Sequence, residues 1–382
     1  MKCLIMSIKA GFGHHSTGQA VMDYLSNNGY ECEMLDTFEY INQRLGESIS
    51  EGYLFSTKYF PEVYGKAYTK LDKHDESYDK HLLISILSKL VTRKIKDYIK
   101  EFEPDVVIGT HSIACLLMTY LKESGDITCP TFGIVTDFTV HPFWESTDID
   151  YYVTPNSLLN NQMNKKGIPT HKILPYGIPI KQSFSQKIPK DTARKQLGIG
   201  DKFTILIMMG SMGFGNITKC LKSIDALDFN FQILVVCGNN EKAKKEIDEN
   251  RWNKNVYSFG FVTNIDVLMD ASDCIITKPG GLTTSEALAK KLPSILMNPI
   301  PGQEDRNIEF LVNSGAAIMS TDTFPVDEAL YELMNNEWRL ELLKRSVEHI
   351  GKPDSTKMLC KFVIETVKKS KEEINKEIQT LV

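Results

Sequence analysis

Cys274-Ile275-Ile276-Thr277-Lys278-Pro279-Gly280-Gly281-Leu282-Thr283-Thr284-Ser285-Glu286-Ala287 holds the fold in miniature. Four apolar or β-branched residues predict a buried strand, the Pro-Gly-Gly step turns the chain, and hydroxyl-bearing residues open a helix. The next apolar run, Ser294–Met297, is again a strand. A strand, a helical crossover and a second strand are the unit of a parallel sheet. The same grammar recurs along the chain. Before this stretch lie strands at Phe203–Met209, Phe231–Val236 and Val256–Phe259, each followed by a helical segment. The first half repeats it with strands at Cys3–Ile8, Cys32–Leu35, Asp105–Gly109, Thr131–Thr136 and Tyr151–Thr154. A helix is expected from Thr17 to about Asn27, with Gly29 beyond its end, another over residues 82–99, and a third from about Ile113 to Leu121. Residues 181–202 break the alternation with the composition of a linker and one short helix. The expected fold class is therefore α/β, with two units joined at about residues 180–200 and a helical tail from Asp354 to Leu381 that returns over the first. Ligands of open α/β sheets sit at the carboxyl ends of the strands, so two such sheets facing each other would place a site in a cleft.

Composition agrees with two full cores. The 382 residues are 42% hydrophobic and 24% charged, which excludes a disordered chain. The net charge of -5 argues against a sequence-indifferent nucleic-acid binder, and no nucleic-acid partner is expected. No apolar run approaches the ~20 residues of a membrane span, and Cys3–Ile8 is too short for a secretory signal. Eight cysteines occur singly with no C-x-x-C pair, as expected of thiols in a reducing cytosol.

Three segments carry candidate chemistry. Gly11-Phe12-Gly13-His14-His15-Ser16 follows the first strand, where glycines let the backbone approach a ligand. As a dinucleotide fingerprint it lacks the third glycine, although Asp36 at the end of the second strand keeps a dehydrogenase reading open. An imidazole at this position serves either as a general base or as a packing and capping residue. Thr136-Asp137-Phe138-Thr139-Val140-His141-Pro142-Phe143-Trp144 sets a carboxylate, an imidazole and an indole on one loop after another strand; Asp137 could orient a histidine or accept a substrate hydroxyl. The opening stretch supplies a helix N-terminus whose free N–H groups, with Thr283, Thr284 and Ser285, suit a diphosphate. Glu286, one turn in, could accept both hydroxyls of a ribose, and the same residues equally make an ordinary capped helix. Pro301-Gly302-Gln303-Glu304-Asp305-Arg306-Asn307 adds a loop rich in sugar-type hydrogen-bonding groups. There is no Walker pattern, no D-x-D and no H-E-x-x-H signature.

In this order the segments resemble glycosyltransferase family 28, the family of monogalactosyldiacylglycerol synthases and processive diacylglycerol glucosyltransferases, and the resemblance covers nearly the whole chain. It is borne by Gly11-Phe12-Gly13-His14, Gly18-Gln19-Ala20, Thr136-Asp137-Phe138 with His141 and Trp144, Tyr176-Gly177-Ile178-Pro179-Ile180, Pro279-Gly280-Gly281 with Glu286-Ala287, and Gly302-Gln303-Glu304 with Asn307. Lys9-Ala10 departs from the pattern, and His15 falls where relatives vary and is given no role. The resemblance implies the GT-B fold, two Rossmann-like domains facing across a cleft. Residues 1–180 would take the acceptor, 200–352 the UDP-sugar donor, and 353–382 would form a helix packing back on the first domain. It further implies inverting hexosyl transfer from a UDP-sugar to diacylglycerol or a related lipid, with no cofactor and no obligatory metal. His14 would be the general base, and Asp137 and His141 would orient the acceptor or that base. Ser211, Gly213, Gly280, Gly281 and Thr283 would cradle the diphosphate, Phe261 would lie near the uracil, Glu286 would hold the ribose, and Gln303, Glu304 and Asp305 the sugar. The same donor loops would serve N-acetylglucosaminyl transfer to a lipid-linked precursor, a UDP-sugar epimerase or a non-catalytic UDP-sugar-binding protein.

Residues 40–80 stand outside the α/β alternation. Tyr53, Phe55, Tyr59, Phe60, Tyr64 and Tyr68 alternate with Lys58, Lys66, Lys70 and Lys73. Such a mixture suits a packed excursion with a solvated face or an anionic membrane surface. With the resemblance, the expectation is the membrane: Trp144 and the aromatics from Tyr53 to Tyr64 would meet acceptor and bilayer. The protein would then be cytoplasmic and peripheral on the inner face of the cell membrane. Residues 1–180 hold 17 Lys/Arg against 22 Asp/Glu, so any basic face there is a local patch.

Overall fold

The structure, a computed structural model, describes residues 1–8, 12–41, 93–209 and 216–381. The chain forms two compact units, Met1–Gln182 with Asp354–Val382, and Ser183–Pro353. Gly11, Ser211, Gly213, Tyr53, Phe55, Tyr59, Phe60 and Tyr64, and the start of the helix expected at 82–99, lie outside the described residues.

The first unit is built on a parallel sheet of β1 (Lys2–Ser7), β2 (Glu31–Asp36), β3 (Val106–Gly109), β4 (Thr131–Ile134), β5 (Tyr151–Val153) and β6 (Ile173–Leu174), in the order β2-β1-β3-β4-β5-β6. Cys3 pairs with Val106, and Val107 with Thr131, so the central strands are buried on both faces and read as unbroken apolar runs. Helix α1 (Phe12–Asn27) follows β1 and covers one face with Val21 and Leu25. It begins five residues before the expected Thr17. Gly13, His14, His15 and Ser16 are weak helix formers, and packing overrides that preference. Gly18 is the close approach: a Cβ there would stand 2.8 Å from Met34 Sδ and 3.1 Å from Ile5 Cγ2. The helix stops where Gly29 turns left-handed and Tyr30 N–H reaches back to the Leu25 carbonyl. Helix α2 (Ser112–Glu123) follows β3 with its cysteine, leucine and methionine stripe buried.

The second unit repeats the scheme with β7 (Phe203–Met208), β8 (Phe231–Val236), β9 (Asn255–Phe259), β10 (Cys274–Thr277), β11 (Ser294–Leu296) and β12 (Ala317–Met319), in the order β12-β11-β10-β7-β8-β9, all parallel. Helix α3 (Gly281–Ala289) follows β10 and α4 (Gln303–Asn313) follows β11. The segment entering this unit holds two short helices, Gln182–Ser185 and Lys190–Leu197, where one was expected. It is pinned by Lys290, whose ammonium is buried against Asp270 at 2.7 Å and donates to the Gln186 carbonyl.

Helix α5 (Ser355–Leu381) belongs to the first unit. Its Leu359, Cys360, Val363 and Val367 complete the core over β1, β3 and β4, and Phe362 meets Tyr151 with ring centroids 5.0 Å apart. Among the described residues no helix is long and apolar enough to cross a membrane.

Both strand orders reverse direction once, between β1 and β3 in the first sheet and between β7 and β10 in the second. Adjacent crossover helices leave such a point on opposite faces of the sheet and open a crevice at the strand ends. His14 lies at the first of these points and the Gly280-Gly281 turn at the second, while Asp137 and His141 follow β4, Gln303 follows β11 and Phe261 follows the edge strand β9.

Candidate active site

In the first unit His14 lies in the first turn of α1, at the carboxyl end of β1. Its Nδ1 is 2.8 Å from the Thr110 carbonyl at the end of β3 and 3.0 Å from Thr136 Oγ1 beyond β4. A carbonyl only accepts, so Nδ1 carries the proton and Nε2 presents a lone pair. Burial pushes the His14 pKa below its ordinary value; the Asp137 charge and the Thr110 carbonyl work in the opposite direction. The positive end of α1 acts with burial to disfavour imidazolium. The result is a neutral imidazole with a carboxylate nearby to stabilise the charge it would acquire on taking a proton. Thr110 also ties the two strands together, its hydroxyl donating to Ser7 Oγ at 3.1 Å.

Two further imidazoles stand at neighbouring strand ends. His111, absent from the sequence expectations, caps α2: its Nδ1 accepts the Ile113 N–H at 3.1 Å. Its ring meets that of His14 edge-on, with centroids 4.5 Å apart and planes at 64°. Burial holds its pKa well below the ordinary histidine value, and His14 and His141 lower it further. His141 caps the 3-10 turn Pro142–Ser146 in the same way, Nδ1 accepting from Phe143 N–H at 3.1 Å. An available signal for His111 was the strand ending at Gly109 followed by Thr-His-Ser before a helix, the grammar that singled out His14.

Trp144, expected at the acceptor and bilayer, is buried at 3% exposure. Its ring packs against Tyr152 and over β4, where a Cβ on Gly133 would come within 2.9 Å of it. The indole anchors the loop that carries Asp137 and His141.

In the second unit Gly280 stands at the start of α3 with no side-chain cap, leaving the first-turn N–H groups without intrahelical acceptors. Two of the three hydroxyls expected to aid a diphosphate are spent inside the helix. Thr284 Oγ1 donates to the Gly280 carbonyl and Ser285 Oγ to that of Gly281, both at 2.8 Å. Gly281 is buried, and Thr283 and Glu286 remain half-buried on the first turns.

The loop before α3 is held by α4. Asn307, fully buried, donates to the Pro279 carbonyl at 2.9 Å. Glu304 accepts from Lys278 Nζ at 2.7 Å and, through its other oxygen, from Ile300 N–H at 2.8 Å. Asp305 accepts the Gly302 N–H at 2.8 Å, where Gly302 takes a left-handed φ of 96°. Glu304 and Asp305, expected at the sugar, are thus engaged in holding the loop. Gln303 opens α4 half-buried, and Phe261, beyond β9, is 68% exposed.

Two six-stranded parallel sheets flanked by helices define the class by fold: GT-B. The architecture is similar to MurG of Acinetobacter baumannii, with a TM-score of 0.62 at 16% identity over 96% of this chain and 100% of that one. It is equally similar to the calicheamicin glycosyltransferase CalG4, with a TM-score of 0.62 at 11% identity over 97% and 98%. Residues 14–180 match the monogalactosyldiacylglycerol (MGDG) synthase family and residues 204–357 the glycosyltransferase family 28 C-terminal domain. The processive diacylglycerol beta-glucosyltransferase of Bacillus pumilus (strain SAFR-032) is 30% identical over 368 residues, 95% of this chain and 94% of that protein. The chain belongs to glycosyltransferase family 28.

Proposed function

We propose that the protein transfers a hexose from a UDP-sugar to a hydroxyl of diacylglycerol or a related lipid, with inversion and without a dedicated metal. His14 is the observation that carries this reading: its Nδ1–H is fixed on the Thr110 carbonyl, leaving Nε2 as the base. Nε2 takes the acceptor hydroxyl's proton as that oxygen attacks the anomeric carbon. The bond from that carbon to the diphosphate oxygen breaks, and UDP departs with the electron pair. Asp137 stabilises the imidazolium, and His141 orients the acceptor. The N–H groups of Gly281 and Thr283 and the helix dipole suit the diphosphate charge that a metal would otherwise neutralise. Glu286 is assigned to the ribose, Phe261 to the uracil and Gln303 to the sugar, with Ser211 and Gly213 on the diphosphate. The relatives' names favour glucose and a diacylglycerol acceptor. Tyr53, Phe55, Tyr59, Phe60 and Tyr64 with their interleaved lysines would hold the enzyme at an anionic membrane face, in keeping with the cytoplasmic side.

The test is incubation of the protein with diacylglycerol vesicles and UDP-glucose, UDP-galactose or UDP-N-acetylglucosamine, with mass spectrometry of the lipids. The expected product is a hexosyl diacylglycerol formed in the presence of a chelator. UDP-sugar binding with no glycolipid, or UDP release that needs no lipid, would remove the acceptor assignment.

A further inference from the structure

The residues Thr110-His111 form a cradle that the catalytic reading above does not use in full. The Thr110 carbonyl fixes the tautomer of His14, and the next side chain lies against the His14 ring. The His111 ring is not free to turn away, because its Nδ1 is the acceptor for the first turn of α2. Protonating that nitrogen would cost the helix its cap, so His111 stays neutral while His14 changes state.

We propose that His111 is a positioning residue for His14: anchored by the α2 cap, its ring covers one side of the base and excludes water from it. The proposal rests on His14 as the base and adds what keeps that base unprotonated near neutral pH. The groups that face His14 fall into opposing sets. Asp137, beyond β4, favours the charged form. His111, beyond β3, adds burial without charge. His141, beyond β4, bears electrostatically on His111, and His15 adjoins His14 on α1. Since Asp137 alone would raise the proton affinity of His14, an uncharged cover is what allows burial to prevail.

Two substitutions separate cover from cap. His111→Asn keeps a side-chain acceptor for the Ile113 N–H but removes the ring; His111→Phe keeps the ring and loses the cap. The His14 imidazole is titrated by NMR in each purified full-length variant, and kcat/KM is measured from pH 5.5 to 8.5 with diacylglycerol vesicles. In His111→Asn the His14 titration midpoint moves up. The acid limb follows it, so the ratio of kcat/KM at pH 6 to that at pH 8 falls roughly threefold. His111→Phe leaves both near wild type despite a lower melting temperature. An unmoved His14 midpoint in folded His111→Asn overturns the proposal, as does a His111→Phe midpoint that rises with the asparagine variant. If instead the His14 midpoint moves while activity survives His14→Ala, the cover is real and the base assignment is the part that fails.

Discussion

At the scale of single residues, the lowered proton affinities of His14 and His111 are the property on which the proposed chemistry turns. His14→Ala is expected to lower transfer by roughly 10²–10⁴-fold, with UDP affinity unchanged in calorimetry, because the donor loops lie in the other unit. Comparable turnover would assign the base elsewhere. Acidification supplies a second test. His14 and His111 both have folded-state pKa values below the ordinary histidine value. As pH falls through about 6.5 the unfolded chain takes up their protons first, so the stability they contribute is full above that pH and declines below it. The melting temperature of the first unit should therefore drop between pH 7 and pH 5.5, and less steeply in His111→Asn. A flat profile in the wild type would show that these imidazoles titrate alike in both states.

Among the elements, the strand ends and the helices that leave them do most to arrange the site. The Lys278–Gly281 turn is held from α4, by Asn307 on the Pro279 carbonyl and by Glu304 on the Lys278 ammonium. Asn307→Ala would leave a buried carbonyl without that donor, at a cost of about 1–3 kcal/mol. The turn would loosen, and UDP binding should weaken about tenfold, equivalent to about 1.4 kcal/mol. An unchanged UDP affinity would mean that the loop keeps its shape without α4. What was legible in the sequence at this scale followed the physics of burial. Cys274–Thr277 and Phe231–Val236 were placed to the residue because central parallel strands are apolar on both faces. The edge strands β6 and β12 span two and three residues, too few to show a period. The early start of α1 was hidden because Gly13, His14, His15 and Ser16 have low helix propensity. Spacing placed Thr284 and Ser285 at the start of a helix and read Glu304 and Asp305, which open α4, as loop residues; it could not say which polar groups would bond inward. His111 shares the strand-to-helix grammar but lacks the flanking glycines that drew attention to His14.

For the whole molecule, the first unit is assembled from two distant parts of the chain, residues 1–182 and 354–382, while the second is continuous. Removing residues 354–382 would strip Leu359, Val363 and Val367 from the first core, each worth about 1.5–3 kcal/mol on burial. Together these approach the whole stability of an ordinary domain, about 5–15 kcal/mol. A chain ending at Pro353 is therefore expected to lose hydrogen-exchange protection in β1 and β3 but keep it in β7 and β10. Protection retained in both sheets would show that α5 is dispensable. The discontinuity also bears on how the protein is made. As the ribosome emits the chain, residues 183–353 have all their partners once Pro353 emerges, whereas the first unit, although its amino terminus left the tunnel first, still lacks α5. His14 is thus translated well before α5 and would be among the last residues of the first unit to find its final surroundings. Until then the apolar faces of β1, β3 and β4 that await α5 are the surface a chaperone would recognise.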